Sequence, residues 1–223
     1  MIRNMASHPE NRPLLIGICG GSGSGKTSLI RRLRAAFDPQ ALCVVSQDDY
    51  YKPRAQQKKD EQGVENFDLP DSVDKKALRQ DLERLLRGER VERAEYTFNN
   101  DEAAARTVVF APAPVIVVEG LFVLHYKKIR NILDLRIFVN AKENLKVIRR
   151  IMRDQRERNY PLEDVLYRYE HHVLPAYERY ILPYKEDADI VINNNLNFER
   201  GLLVLQGFIA DQIRRCEEAK SGT

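Results

Sequence analysis

The chain has 223 residues, 43% of them hydrophobic and 31% charged, a balance that suits one globular α/β domain and excludes a disordered chain or two full domains. A net charge of +3 is far below that of a dedicated nucleic-acid binder, and no apolar run approaches the roughly 18 residues of a membrane span. Three cysteines, Cys19, Cys43 and Cys216, lie far apart without CxxC spacing, so neither a disulfide framework nor a zinc site is expected.

Residues 1–12 have no apolar stretch of the signal-peptide kind and read as a flexible tail, which predicts a cytoplasmic protein. One domain is expected over residues 13–215, followed by a second tail over 216–223. Leu14 to Cys19 is a short apolar strand that ends in glycines, and the helical spacing of Leu29, Ile30, Leu33 and Phe37 follows it. A second buried strand, Leu42 to Val45, stops at the polar cluster Ser46 to Asp49, as a strand leading into a functional loop does. Lys52 to Asp74 turns polar, with Pro53 and Pro70, and predicts an exposed excursion.

From Asp74, Leu78, Leu82, Leu85 and Leu86 share one helical face that Gly88 terminates. Residues 91–110 predict a small β-hairpin, with Tyr96 and Phe98 on one side of a period-2 pattern. Val115 to Val118, Leu135 to Val139 and Ile190 to Ile192 are further strands separated by helical patterns. A helix over Lys142 to Arg158 is expected to bury Leu145, Ile148 and Met152, leaving Arg149, Arg150, Arg153, Arg156 and Arg158 on its remaining surface. The alternation implies a three-layer α/β fold with a parallel central sheet, a hairpin over the acceptor site and a helical lid over about 149–165.

Gly20-Gly21-Ser22-Gly23-Ser24-Gly25-Lys26-Thr27 matches GxxxxGK(S/T), and its context of preceding strand and following helix is the one this phosphate-binding loop requires. Glycines let the backbone curl with its N–H groups inward, and the helix that continues through Ser28 adds free amides and a positive dipole end. Lys26 would reach the outer phosphates, and the Thr27 hydroxyl would serve a magnesium ion. Glu119, at the end of the third strand, suits a carboxylate near that ion, and Asp48 or Asp49 could accept the proton of an attacking hydroxyl. His171 and His172 point about 100° apart on a helix and, with no further ligand nearby in sequence, read as a satisfied or exposed pair rather than a metal site.

These segments together resemble the uridine–cytidine kinases, within the wider phosphoribulokinase and uridine kinase group. The resemblance covers about residues 14–195 and is carried by the phosphate loop, SQDDYYKP at Ser46 to Pro53, NFDLPDSVD at Asn66 to Asp74, VVEG at Val117 to Gly120, the arginine run at Arg149 to Arg158 and ADIVI at Ala188 to Ile192. It implies an ATP- and Mg2+-dependent transfer of the γ-phosphoryl group to the 5′-hydroxyl of a nucleoside, most plainly uridine or cytidine. By the same resemblance Asp48 is the base, Asp68 holds the ribose hydroxyls, and Phe67, Tyr96 and Phe98 line the nucleoside pocket. Glu119 then serves magnesium, Arg153, Arg156 and Arg158 form the lid clamp, and Arg149 and Arg150 are helix charges. Family members are commonly oligomeric, which implies a homo-oligomer.

Four positions depart from the family's pattern. Asp101 stands where the family places a histidine, Tyr160 follows Arg158-Asn159 where Arg-Gly-Arg is usual, and Arg168 replaces a base-reading glutamine. An acid at 101 would favour an amino group or a cation over a carbonyl. That keeps open a nicotinamide riboside kinase, a sugar-phosphate kinase and, in another class, a non-catalytic ATP-binding regulator.

Overall fold

The computed structural model describes residues 12–96, 106–157 and 160–221. Strand β1 (Leu14–Cys19) sends Leu14, Ile16 and Ile18 to one face and Leu15 and Cys19 to the other, all buried. Strand β5 (Val115–Gly120) repeats this with Val115 and Val117 against Ile116 and Val118. A strand apolar on both faces belongs in the middle of a covered parallel sheet. The order is β2-β5-β1-β6-β7, with β2 (Leu42–Ser46), β6 (Leu135–Asn140) and β7 (Ile190–Asn193), and all pairings are parallel.

Helices α1 (Lys26–Arg34) and α7 (Glu199–Ser221) cover one face through Leu29, Leu33, Leu202, Leu205 and Ile209. Helix α2 (Lys75–Leu86), short helix α3 (Lys127–Arg130) and the hairpin of β3 (Val91–Ala94) with β4 (Thr107–Phe110) cover the other, burying Leu78, Leu82, Leu85, Ile129, Val91 and Phe110. The three-layer α/β architecture with a parallel sheet is therefore present. Asp74 caps α2, its carboxylate accepting from the N–H groups of Lys76 and Ala77. The antiparallel register runs from Val91↔Phe110 to Ala94↔Thr107; Phe98 and Asp101 lie outside the described residues.

Three expectations need correction. The apolar face expected of α4 (Glu143–Glu157) is not its buried one: Ile148 is 51% and Met152 43% exposed, while Lys146, Arg150 and Asp154 are buried. The reason is what α4 packs on. It docks on the phosphate loop, whose surface is backbone amide and hydroxyl, and only polar side chains satisfy such a surface. The excursion after Lys52 is exposed only in part. Gln57 is buried and its Nε2 donates to the carbonyls of Lys52 (2.7 Å) and Ser72 (3.2 Å), closing the feet of the loop. Finally, α7 runs to Ser221, so residues 216–221 continue the last helix, stitched by Arg214–Glu218 and Arg214–Asp211 pairs, rather than starting a tail.

Candidate active site

Because β2, β5 and β1 are neighbours, the loops at their C-terminal ends meet at one edge of the sheet. The loop after β1 has left-handed backbone at Gly23 (φ 78°) and Gly25 (φ 95°), and both are also tightly packed. A Cβ on Gly23 would stand 2.3 Å from the Lys146 carbonyl oxygen, and one on Gly25 2.1 Å from Asn194 Nδ2. Glycine is thus required twice over, by conformation and by the approach of α4 and of the loop after β7. Asn194 Nδ2 donates to the Ser24 carbonyl at 2.9 Å, tying that last loop to the phosphate loop.

Lys26 Nζ lies 3.6 Å from Glu119 Oε2, and Ser46 Oγ donates to Glu119 Oε1 at 2.7 Å. Ser46 Oγ also accepts from the Asp48 N–H, so one hydroxyl ties the end of β5 to the short helical turn Gln47–Tyr50 that carries the two aspartates. Behind them Gln47 is fully buried and its Oε1 accepts from the Phe122 N–H at 2.9 Å. That placement leaves no room for a side chain at 120, where a Cβ would lie 2.3 Å from Gln47 Cβ. Asp48 lines the central cavity and Asp49 does not. Burial, followed by the charge of Glu95, pushes the Asp49 carboxyl above its ordinary range. Asp48 is therefore the carboxylate offered to a ligand.

The cavity encloses about 370 Å³ and runs from the phosphate loop to an aromatic end. At the first end its wall contains Gly21, Ser22, Gly23, Gly25, Lys26, Thr27 and Ser28, while Gly20 and Ser24 support the loop from below. Helix α4 adds Arg149, Arg150 and Arg153. Arg150 Nη1 donates to Ser22 Oγ at 2.9 Å, and Asp154 holds both Arg150 (3.2 Å) and Arg153 (2.9 Å). Arg149 and Arg150, expected as mere helix charges, are thus part of the site. Arg156 is exposed and outside the cavity wall, because it repeats the Arg149 position two turns, about 10 Å, further along the helix. Arg158 lies outside the described residues. Lys146, beneath the loop, sits 3.2 Å from the centroid of Tyr177 and pairs with Glu143; burial holds its amine below the usual lysine range, with Glu143 opposing.

At the second end Tyr51, Phe67 and Tyr96 form an aromatic group, with Tyr51 centroid separations of 5.9 Å to Phe67 and 5.6 Å to Tyr96. Asp68 lines the same end, its N–H held by Asn66 Oδ1. Tyr160, Val165 and Arg168 approach from the far side, the last two on helix α5 (Leu162–Arg168). Arg54 lines this end and pairs with Glu65 at 3.3 Å. Cys19, close to the loop, is no nucleophile: burial pushes its thiol up to about 11, and its Sγ donates to the Leu121 carbonyl. Among the described residues no group of three or more His, Cys, Asp or Glu could hold a metal by itself. The oxygen donors at hand, the Thr27 hydroxyl and the Glu119 carboxylate, fit a magnesium ion that takes most of its ligands from phosphate and water.

Sequence reasoning missed Tyr51, Arg54, Leu121, Asp154 and Val165 in the wall, and Ser46 behind it. For Asp154 a signal existed, since Lys146, Arg150 and Asp154 recur every four residues as a polar stripe. For Arg54, in a polar loop, there was none.

A model of the phosphoribulokinase / uridine kinase family matches residues 15–197. A uridine kinase of Clostridium tetani (strain Massachusetts / E88) is 33% identical over 208 residues, covering 93% of this chain and all (100%) of its own length. A uridine kinase of Staphylococcus carnosus (strain TM300) is 37% identical over 182 residues, 82% of this chain and 88% of that one. Among solved structures, one described as a "Possible Uridine Kinase" of Bacillus stearothermophilus aligns with a TM-score of 0.57 at 24% identity, covering 80% of this chain and 88% of the other, a likeness of fold. The phosphate loop, the carboxylate-bearing strand ends and these matches agree, and the chain belongs to the phosphoribulokinase / uridine kinase family, a family of phosphotransferases.

Proposed function

We propose that the protein is a cytoplasmic nucleoside kinase that moves the γ-phosphoryl group of ATP to the 5′-hydroxyl of uridine or cytidine. The observation that carries this reading is that one cavity joins the phosphate loop to an aromatic end with Asp48 in its wall. The attacking 5′-oxygen forms a bond to the γ-phosphorus, its proton passes to the Asp48 carboxylate, and the bridging β–γ oxygen leaves with ADP. Transfer of this kind depends on positioning and charge neutralisation more than on covalent chemistry. Lys26, Arg150 and Arg153 supply positive charge at the phosphates, with bidentate donors on the two arginines. Phe67 and Tyr96 hold the ring, and Asp68 accepts from the ribose hydroxyls. Thr27 and Glu119 would hold magnesium, which supplies charge neutralisation on the phosphate oxygens.

The test is ADP release from Mg-ATP with uridine, cytidine, nicotinamide riboside or no acceptor, subtracting acceptor-independent hydrolysis. Turnover with a pyrimidine nucleoside supports the proposal. Turnover restricted to nicotinamide riboside would replace the acceptor, in line with the acid at Asp101. Silence with all three would refute a nucleoside kinase and direct attention to sugar phosphates or to a regulatory ATP-binding role.

A further inference from the structure

Between α5 and α6 (Leu174–Tyr180) the backbone widens into a π-turn over Tyr169–Val173, so Leu162 to Tyr180 runs as one continuous helical rod. Hydrogen bonds from i to i+5 bring side chains five apart toward the same face, whereas an α-helix would set them about 140° apart. Tyr167 and His172 are such a pair, and both meet one atom. Tyr167 Oη donates to Asp60 Oδ2 at 2.8 Å, and His172 Nε2 lies 2.7 Å from the same oxygen. An ionised carboxylate only accepts, so that ring nitrogen carries the proton. Desolvation works against ionisation of Asp60, but hydrogen bonds from Tyr167, the Val64 N–H, His172 and the Gln62 N–H outweigh it and hold the carboxyl far below its usual range. His172 is 2% exposed, which makes it a buried anchor on the loop after Lys52.

Asp60 also builds the turn it sits in. Its Oδ1 accepts from the N–H groups of Gln62 and Val64, both at 2.9 Å. Backbone bonds from the Gly63 N–H to the Asp60 carbonyl (3.0 Å) and from the Asn66 N–H to the Lys58 carbonyl (2.7 Å) close the turn directly ahead of Phe67 and Asp68. Arg168 Nη1 donates to the Glu65 carbonyl at 3.0 Å, a second tie between rod and turn. Ten residues after Tyr167, about 15 Å along the helix, the same rod meets the phosphate loop. There Tyr177 is buried, and a Cβ on Gly21 would stand 2.9 Å from its ring. Lys146, whose carbonyl packs on Gly23, presses its Nζ on the other contact of that ring at 3.2 Å from the centroid.

A polyphosphate seated in the loop orders the surface on which Tyr177 packs, and a rod steadied at one end is steadied at the other. Order imposed at one site lowers the cost of ordering a second site joined to it. We propose that the rod Leu162–Tyr180 couples nucleotide occupancy of the phosphate loop to order in the acceptor loop ahead of Phe67 and Asp68, with Asp60 as the positioning residue that joins them. This rests on the ATP-binding part of the reading above. The link runs through a helix and a turn, so it acts on every acceptor alike.

The test follows exchange of the Gly63 and Asn66 amide hydrogens by NMR, with and without Mg2+ and β,γ-imido ATP. Both amides bond to backbone oxygens rather than to the Asp60 carboxylate. In the unaltered protein the nucleotide should slow their exchange about 5-fold or more. Asp60→Asn can leave Oδ1 to the turn while setting a donor in place of Oδ2; the slowing should fall below about 2-fold, with the nucleotide Kd raised no more than about 3-fold. Tyr167→Phe should lose part of the slowing. His172→Gln, whose amide can donate in place of the ring nitrogen, should keep most of it. No slowing in the unaltered protein would overturn the link. So would undiminished slowing in Asp60→Asn, even with faster exchange overall, since Asp60 would then serve the turn alone. Failure of the unaltered protein to bind the nucleotide would overturn the ATP reading and the link together. Slowing that depends on Asp60 supports the link even where no nucleoside is phosphorylated, an outcome that would remove only the acceptor assignment.

Discussion

The two ends of the cavity are built in different ways. The phosphate end is built around one contiguous stretch, Gly20 to Ser28, that runs from β1 into the first turn of α1 and works through backbone geometry, with the arginines of α4 added from elsewhere. The aromatic end is assembled from Tyr51, Arg54, Phe67, Asp68, Tyr96, Tyr160 and Arg168, contributed by segments more than a hundred residues apart. A phosphate group is the same in every nucleotide, so a fixed local device suffices for it. Acceptors differ, and an end made of separate side chains can be altered one position at a time without disturbing the other.

If this division is right, a substitution at the phosphate end should weaken every acceptor alike, and one at the aromatic end should change their ranking. Asp48→Asn stands between the two and should have the largest effect: a fall in kcat of about 10²–10⁴-fold for all acceptors, with ATP binding retained by calorimetry. Full activity in that variant would remove Asp48 from the mechanism. Gly23→Ala forces a left-handed residue to carry a side chain against the Lys146 carbonyl. KM for ATP should rise about 10-fold or more, equally with each acceptor; an acceptor-dependent change would mean the two ends are coupled through the loop. Arg150→Met deletes the bond to Ser22 and leaves Asp154 with Arg153. A rise of several-fold in KM for ATP is expected, and no change would mean α4 is held by packing alone. The smallest effect is on the thiols. Burial pushes both Cys19 and Cys43 up to about 11, so iodoacetamide at neutral pH should label Cys216 alone in the folded protein, without loss of activity. Inactivation by alkylation of Cys19 would show that the loop opens.

The faces of α4 show where sequence pattern misleads. Apolar residues at helical spacing, Leu145, Ile148 and Met152, pointed to a core-facing stripe by the rule that serves α1 and α2 well. That rule assumes an apolar partner. Helix α4 meets the phosphate loop instead, and the stripe of Lys146, Arg150 and Asp154 is the one that turns inward. The same assumption hid Arg149 and Arg150 from the site, although the arginine run itself was plain.

By itself the sequence determined the parallel three-layer sheet, the phosphate loop, the carboxylates at the ends of β2 and β5, and the family. Each of these depends on residues adjacent in the chain, where strand periodicity, glycine conformation and helix start are local properties. Only the tertiary structure decided that Ser46 joins Asp48 to Glu119 across 73 positions, and that Asp60 and Glu65 hold Tyr167, His172 and Arg168 across 103 to 112. Contacts of that span leave no period or spacing in the chain, because they exist only once the sheet has brought its loops to one edge.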